Sequence, residues 1–199
     1  MKKQLSEMTL EELWELFPII LKEHNTNYKD WYVIEEKSIL NHINPADITR
    51  INHIGSSAVA GLLSKPTIDI LLEIDGNCSI TQLIDHLNTL GWGLMRREDD
   101  PPKLTFNKGY TPDGFAPKVY HLHVRYTGDW DELYFRDYLI AHPLIADEYG
   151  KLKLQLLKKY EHDRDAYTAA KSEFILNHTK AAKEEFRNKY KPSTFSYGN

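Results

Sequence analysis

Residues 53–74 read HIGSSAVAGLLSKPTIDILLEI, and this stretch decides the fold. It predicts a strand end, a Gly-Ser turn, a short loop and a second strand, because residues 67–74 alternate between two largely apolar faces around Asp69. A strand that is apolar on both faces is typical of the buried centre of a sheet. A small-residue turn can present backbone N–H groups to a phosphate, and a nearby carboxylate can hold the accompanying cation. The stretch therefore suggests a nucleotide-handling site.

The overall composition is that of an ordinary soluble globular protein. Of the 199 residues, 41% are hydrophobic and 27% are charged, and the net charge of −4 argues against general nucleic-acid binding while leaving room for a local basic groove. Cys78 is the only cysteine, which favours a reducing compartment. The sequence has no signal-peptide pattern and no run of about 20 apolar residues. We therefore expect a cytoplasmic protein that does not associate with membranes.

Hydrophobic periodicity predicts an α+β fold with a mixed β-sheet core, flanking helices and a helical C-terminal part. Strands are expected at residues 48–54, 67–74, 92–97, 103–107 and 119–126. Helices are expected at residues 9–23 with an interruption at Pro18, and at 29–41, 79–90, 131–141, 143–160 and 165–190. Residues 109–117 contain two prolines and two glycines and are expected to form a loop.

Four regions follow from this reading. We expect an N-terminal helical extension (1–27), an α/β core (28–128), a C-terminal helical part packed on the core (129–191) and a polar tail (192–199). The extension has an apolar face that must be covered. It packs either on the core or against a second copy of the chain, so a homodimer is one of two alternatives.

The turn and the acid after it are the first candidate site residues. Gly55 permits tight backbone geometry, and the hydroxyls of Ser56 and Ser57 can donate to a phosphate, although most Gly-Ser pairs are simply turns. Asp69 interrupts an apolar strand, and a buried charge needs a cation, a metal ion or hydrogen-bond donors. The structural alternative is that Asp69 pairs with Lys65 or bonds to the Gly-Ser loop.

Two histidines and three residues of the C-terminal part complete the candidates. His121 and His123 lie two positions apart on one strand, so they share a face about 7 Å apart and can ligate a metal, bind a phosphate, or simply pack. Arg136 can contact a phosphate or form a salt bridge. Tyr167 and Lys171 share a helix face, where Lys171 is either a phosphate counter-charge or a solvated residue.

The ordered series of these motifs resembles the GrpB family over about residues 28–180. The matching segments are YKDW (28–31), HIGSSAV (53–59), KPTIDIL (65–71), HLHV (121–124), FRDYL (135–139), AHP (141–143), YGKLK (149–153), YT (167–168) and KSEFI (171–175). The resemblance implies a nucleotidyltransferase-like fold. It leaves activity and substrate open.

The resemblance also assigns roles, and the sequence departs from one of them. Gly55 and Ser56 match the turn that contacts nucleotide phosphates in active nucleotidyltransferases, and Asp69 matches the first of three acids that hold two divalent cations. The position of the second acid is Leu71. Glu73 shares the face of Asp69 but lies about 13 Å along the strand, too far to bind the same metal ion.

A histidine, His121 or His123, can stand in for the third acid of that pattern. One carboxylate with two imidazoles would hold two Mg²⁺ ions poorly, whereas a single softer metal bound by Asp69 and His123 would suit it better. Mg²⁺, Mn²⁺ and Zn²⁺ are the candidate metals.

The sequence therefore predicts a protein that binds a nucleotide or another phosphate-bearing small molecule and is a candidate metal-dependent nucleotidyltransferase. The candidate catalytic residues are Asp69, His121 and His123, and the candidate ligand-binding residues are Gly55, Ser56, Ser57, Lys65, Arg136, Tyr167 and Lys171. Two alternatives stay open. One is an inactive module that binds a ligand or a protein, and the other is a hydrolase that uses one metal in an Asp-His-His set.

Overall fold

The protein is described by a computed structural model over residues 3–99 and 101–192. Its α+β architecture confirms the predicted fold class. A five-stranded mixed sheet has the order β1-β2-β5-β4-β3. Strand β2 pairs parallel to β5, and the other neighbours are antiparallel. The strands are β1 (Ile48–Ile54), β2 (Thr67–Ile74), β3 (Gly93–Asp99), β4 (Pro102–Thr111) and β5 (Gly114–Tyr126).

The helices flank the sheet, and most lie where periodicity predicts them. They are α1 (Leu10–Leu16), α2 (Tyr28–His42), α3 (Ile80–Thr89), α4 (Asp131–Ala141), α5 (Pro143–Tyr160), α6 (Arg164–Ala169) and α7 (Ser172–Glu185). None of the helices in the described part of the chain is both long and apolar enough to cross a membrane.

Two helix predictions need correction. The helix expected at 9–23 ends at Leu16, because Pro18 disfavours helical geometry at Phe17, whose φ and ψ are −125° and 64°. The helix expected at 165–190 is two helices, α6 and α7, joined by a turn at residues 170–171. The turn brings Lys171 to the start of α7 rather than to the middle of a longer helix.

The prediction of a loop at 109–117 is wrong as well. Strands β4 and β5 continue through most of it and form a hairpin, in which Thr111 pairs with Gly114. Pro112 and Asp113 alone make the connection. The prolines and glycines mark a tight turn and an irregular pairing rather than a long unstructured segment.

The main core lies between one face of the sheet and helices α2 and α3. It is built from alternate residues of the central strands and from the inward faces of the helices, including Ile39, Ile68, Ile70, Leu72, Leu83, Leu87, Leu122 and Val124. The opposite face of β2 carries Asp69, Leu71 and Glu73. There Leu71 packs with Ile54 and with Leu133 of α4. Helices on this second face therefore cover the side of the sheet that bears the acids.

The N-terminal extension packs on the core, one of the two expected arrangements. Phe17 is 3% exposed, and its ring centroid lies 4.8 Å from that of Tyr110 and 5.0 Å from that of Phe115. Lys22 forms an isolated antiparallel bridge with Ser64. The region boundaries and the homodimer stay predictions, and residues 193–199 of the predicted tail lie outside the described residues.

Glu73 is fully buried and is neutralised by Arg50. Both carboxylate oxygens accept from the guanidinium at 2.6 Å, and the Gly128 N–H donates a further hydrogen bond at 3.1 Å. The Glu73 carboxylate therefore links β1, β2 and the start of the helical part.

Removing the arginine leaves that carboxylate buried without a counter-charge. We expect Arg50→Met to lower the free energy of unfolding by about 3–5 kcal/mol, measured by urea denaturation followed by circular dichroism. As a control, Lys3→Met breaks an exposed ion pair with Glu12 and should cost at most about 1 kcal/mol. Equal effects of the two changes would contradict this account of Glu73.

Candidate functional site

The parallel pairing of β2 with β5 brings Asp69 and the two histidines together. Asp69 lies directly opposite His121 in the register. Its Oδ1 is 3.0 Å from His121 Nδ1, and the His123 ring centroid is 6.5 Å from that of His121. The hydrogen-bond partner of the Asp69 side chain is therefore His121, rather than Lys65 or the Gly-Ser loop.

Asp69 stays ionised in this setting. Burial by itself would raise the pKa of its carboxyl group, but the hydrogen bond and charge of His121, with smaller contributions from His123 and Lys65, hold the pKa below its ordinary value. The side chain keeps 29% of its surface exposed, and that of His121 keeps 17%. Burial lowers the pKa of His123 to about 4, so this ring is neutral at physiological pH.

The Gly-Ser turn approaches the carboxylate closely. Gly55 has φ 71°, and a Cβ added there would lie 2.5 Å from Asp69 Oδ2, so only glycine fits. Ser56 Oγ accepts a hydrogen bond of 3.0 Å from Lys153 Nζ. Ser57 is 2% exposed, and its Oγ lies 3.1 Å from the Nε2 atom of His53. Ser56 therefore lies beside Lys153, whereas Ser57 is engaged inside the fold.

A cluster of cations, hereafter the cationic cluster, lies near Asp69, whose carboxylate interacts electrostatically with Lys65 and Lys171. It consists of Lys65, Lys153, Arg164 and Lys171. Burial, with the repulsion of neighbouring cations, lowers the pKa of Lys153 to about 7 and that of Lys171 to about 8, and it lowers the pKa of Lys65. Lys153 is 3% exposed. In a buried set of positive charges with one acid among them, positive charge is in excess.

Two tyrosines line the cationic cluster. Lys171 Nζ lies 4.3 Å from the ring centroid of Tyr167, and Lys153 Nζ lies 4.7 Å from that of Tyr149. Tyr167 is 1% exposed, and its hydroxyl has no hydrogen-bond partner within the described part of the chain. An unpaired buried hydroxyl is costly, so a ligand oxygen beside it would be favoured.

A third tyrosine joins the site from β4. Tyr110 Oη lies 2.7 Å from His121 Nε2, and Arg164 donates to the same oxygen at 3.4 Å. Strict alternation from Lys108 would place the Tyr110 ring on the other face of the sheet. The register shifts between Lys108 and Tyr110, where Gly109 has φ 91°, and this irregularity turns the ring toward His121.

Arg136 is engaged away from the cationic cluster. Its guanidinium donates to Asp137 at 2.8 Å, to Asn52 at 3.3 Å, to the His53 carbonyl at 2.9 Å and to the Tyr190 hydroxyl at 2.9 Å. All three nitrogens are occupied. The structure therefore assigns Arg136 to holding α4 on β1, the salt-bridge alternative, and does not place it among the ligand-binding candidates.

The predicted metal ligands do not form a good resident metal site. His121 has both ring nitrogens engaged, one by Asp69 and one by Tyr110. This leaves one oxygen of Asp69 and the ring of His123, which is fewer than the three protein ligands of typical catalytic sites. Within residues 3–99 and 101–192, no group of three or more His, Cys, Asp or Glu side chains is placed to hold a metal ion.

The sequence does not predict some residues of the site. Lys153 lies within the YGKLK segment that carries the resemblance, yet α5 contains three other lysines and no local pattern distinguishes Lys153 from them. Arg164 and Tyr110 carry no sequence signal, because Arg164 lies between two predicted helices and Tyr110 lies in the segment predicted to be a loop. Lys65, Tyr167 and Lys171 do lie at the cationic cluster, as the motifs suggested.

Comparisons with known proteins identify the family. Residues 18–181 match the family described as "GrpB protein", and the chain belongs to this family. The glutamate-rich protein GrpB of Alkalihalophilus pseudofirmus is 35% identical over 161 residues, which cover 79% of this chain and 91% of that protein. A UPF0157 protein of Pseudomonas aeruginosa is 38% identical over 126 residues, which cover 63% of this chain and 52% of that protein.

Solved structures support the fold. The crystal structure of the conserved protein GrpB from Enterococcus faecalis aligns with a TM-score of 0.73 at 24% identity and covers 84% of this chain and 99% of that one. This confirms the GrpB fold. A mutant of the Cid1 poly(U) polymerase aligns with a TM-score of 0.47 at 13% identity over 76% of this chain and 46% of that one.

The close approach of Gly55 to Asp69 makes a testable prediction. We expect Gly55→Ala to lower the free energy of unfolding by about 1–3 kcal/mol more than Gly61→Ala does, measured by urea denaturation. Gly61 is a matched control, because it also has a positive φ, 77°, but a Cβ there would meet nothing within 4 Å. Gly55, with φ 71° and ψ −173°, lies in a backbone region open essentially to glycine alone, so the difference combines this strain with the contact with the carboxylate. No difference between the two variants would disprove the close approach.

Proposed function

We propose that this GrpB-family protein binds a phosphorylated small molecule, with a nucleotide as the expected class, in the cleft between the Gly55-Ser56 turn and helices α5 to α7. The observation that supports it is the cationic cluster. Lys65 lies within electrostatic range of the other three cations, and Asp69 attracts Lys65 and Lys171. Basic side chains and backbone N–H groups are what phosphate oxygens need.

The energetic state of the lysines favours an anionic ligand. Burial and mutual repulsion depress the pKa of Lys153 and Lys171, so part of their charge is lost at neutral pH without a ligand. A phosphate group would relieve the repulsion and restore the charge. Such strongly perturbed groups gathered at one place are a recognised mark of functional sites.

The roles then follow from position. Lys153 and Ser56 already share a hydrogen bond, so a phosphate at the turn can accept from both. Lys171 and Lys65 flank the ring of Tyr167 and would neutralise further phosphates. The nucleotide class rests on the resemblance of the Gly55-Ser56 turn and Asp69 to a nucleotidyltransferase pattern. Any divalent cation would arrive with the ligand, since the donor set does not fit a resident one.

Binding without turnover is the second candidate function. Leu71 stands where the second metal-binding acid would be, and the remaining acid on that face, Glu73, is committed to Arg50. This argues against the two-metal chemistry of active nucleotidyltransferases. A hydrolase that uses one metal in an Asp-His-His set is also disfavoured, because both ring nitrogens of His121 are already hydrogen-bonded.

Calorimetric titration tests the anion site. We expect purified protein to bind inorganic tripolyphosphate and ATP, and Lys153→Met or Lys171→Met to weaken both by about tenfold or more, the value of one charge-assisted hydrogen bond. Lys158→Met is the matched control, because this lysine lies on the exposed side of α5 and should leave affinity unchanged.

Thermal melting of each variant separates a lost contact from a lost fold. Lys171→Met removes a lysine of lowered pKa and is expected to leave stability unchanged or to raise it, whereas Lys153→Met also removes hydrogen bonds to Ser56 and to the Leu63 carbonyl and is expected to lower it. Absence of binding heat with both probes, from a protein that melts cooperatively, would reject the proposed function.

The lysine pKa values predict a pH dependence. A bound anion favours the charged lysine and raises its pKa, so Lys153, with pKa about 7, and Lys171, with pKa about 8, take up protons on binding. Affinity should therefore fall as pH rises from about 7 to about 9, where the free protein has lost these charges. Binding enthalpies in buffers of different ionisation enthalpy measure the proton uptake. Uptake that is absent, or unchanged in Lys171→Met, would contradict this assignment.

A further inference from the structure

An unbroken hydrogen-bonded chain links a tyrosine, a histidine and an aspartate at the edge of the cationic cluster. Tyr110 Oη is 2.7 Å from His121 Nε2, and His121 Nδ1 is 3.0 Å from Asp69 Oδ1. The two imidazole nitrogens thus contact a hydroxyl on one side and a carboxylate on the other. This is the geometry of a nucleophile, a base and a group that orients the base.

The chain fixes the direction of proton movement. An ionised carboxylate at Nδ1 holds the proton of the neutral ring there, which leaves Nε2 as the acceptor that faces the hydroxyl. Burial raises the pKa of the Tyr110 phenol, and Arg164 offsets this only in part. The hydroxyl is therefore protonated at neutral pH, and it needs a base to act as a nucleophile.

The surroundings hold the phenol in place and leave it within reach of a ligand. Its ring packs between Phe17 of the N-terminal extension and Phe115 of the hairpin. Arg164, a member of the cationic cluster, donates to its oxygen at 3.4 Å and can stabilise a developing negative charge. His121 and Asp69 keep 17% and 29% of their side chains exposed, so the site is open to solvent.

We propose that the Tyr110 hydroxyl accepts a phosphorus-centred group from a nucleoside triphosphate bound at the cationic cluster, with His121 as base and Asp69 as the residue that positions it. This inference rests on the proposed function, since the donor must first bind. It assigns Asp69 to orienting an imidazole rather than to holding a metal ion, which agrees with its hydrogen bond to His121.

The step balances in atoms and charge. Tyr110 Oη forms a bond to phosphorus while its proton passes to His121 Nε2. The bond from that phosphorus to the leaving oxygen breaks and the leaving group keeps the electron pair. Attack at the α-phosphorus transfers a nucleotidyl group and releases pyrophosphate, and attack at the γ-phosphorus transfers a phosphoryl group and releases a nucleoside diphosphate. The lysines of the cationic cluster neutralise the leaving group in either case.

Covalent labelling of the full chain tests the proposal. The protein is incubated with Mg²⁺ and ATP that carries a radioactive phosphorus at the α or the γ position, and intact mass and peptide mapping locate the product. We expect label on Tyr110 from one of the two donors, which also distinguishes nucleotidyl from phosphoryl transfer. Tyr110→Phe keeps the packed ring and should abolish the label, whereas Tyr160→Phe, at the end of α5, should retain it.

Testing whether Asp69 positions His121 requires a second measurement besides the labelling rate. We expect Asp69→Asn to label at least about a hundredfold more slowly but to bind ATP at least as tightly, because an amide that donates to Nδ1 moves the ring proton to Nε2, which then no longer accepts from Tyr110. A slower rate with an equal loss of ATP affinity would show that Asp69 acts only as structural support.

Calorimetry with ATP on the same preparation separates the two proposals. Binding without label from either donor, or label that persists in Tyr110→Phe, overturns the transfer to Tyr110 and leaves the proposed function standing. Absence of both binding and label overturns both. Binding together with label that depends on Tyr110 supports both.

Discussion

The hydrogen bond between Asp69 and His121 across the parallel strands β2 and β5 is the constraint on which the site depends. It keeps a carboxylate ionised inside a sheet, where desolvation would otherwise favour the protonated form. The carboxylate in turn requires glycine at position 55, since no side chain fits against it. The Gly-Ser turn, the acid and the histidine therefore form one unit rather than three separate features.

Two acids on the same face of β2 have opposite roles. Glu73 is fully buried, and Arg50 with the Gly128 N–H satisfies its carboxylate, so nothing remains for a ligand. Asp69 uses one oxygen on His121 and keeps part of its surface exposed. The difference marks Glu73 as a structural ion pair and Asp69 as the acid of the cleft. A missing second acid and an excess of cations then favour anion binding over metal binding.

The cationic cluster joins distant segments of the chain. Lys65 precedes β2, Lys153 lies on α5, Arg164 opens α6 and Lys171 precedes α7. Gathering these charges in a poorly solvated place costs stability, as the lowered pKa values of the lysines indicate. Strongly perturbed pKa values of this kind cluster at functional sites. The helical part thus does more than cover the sheet, because it supplies most of the charge.

The sequence by itself determined the α+β class, the burial of strand β2, the bounds of β1, β2, α4 and α5, and the family, since local periodicity and ordered motifs carry that information. It also named Asp69, His121, Lys65 and Lys171. Only the tertiary structure decided that His121 is the partner of Asp69, that Arg136 holds α4 on β1, and that Lys153 contacts Ser56 while Arg164 contacts Tyr110. The physical reason is that strand register and helix docking bring together residues far apart in the chain, and no local pattern records which of several lysines or tyrosines ends up beside the carboxylate.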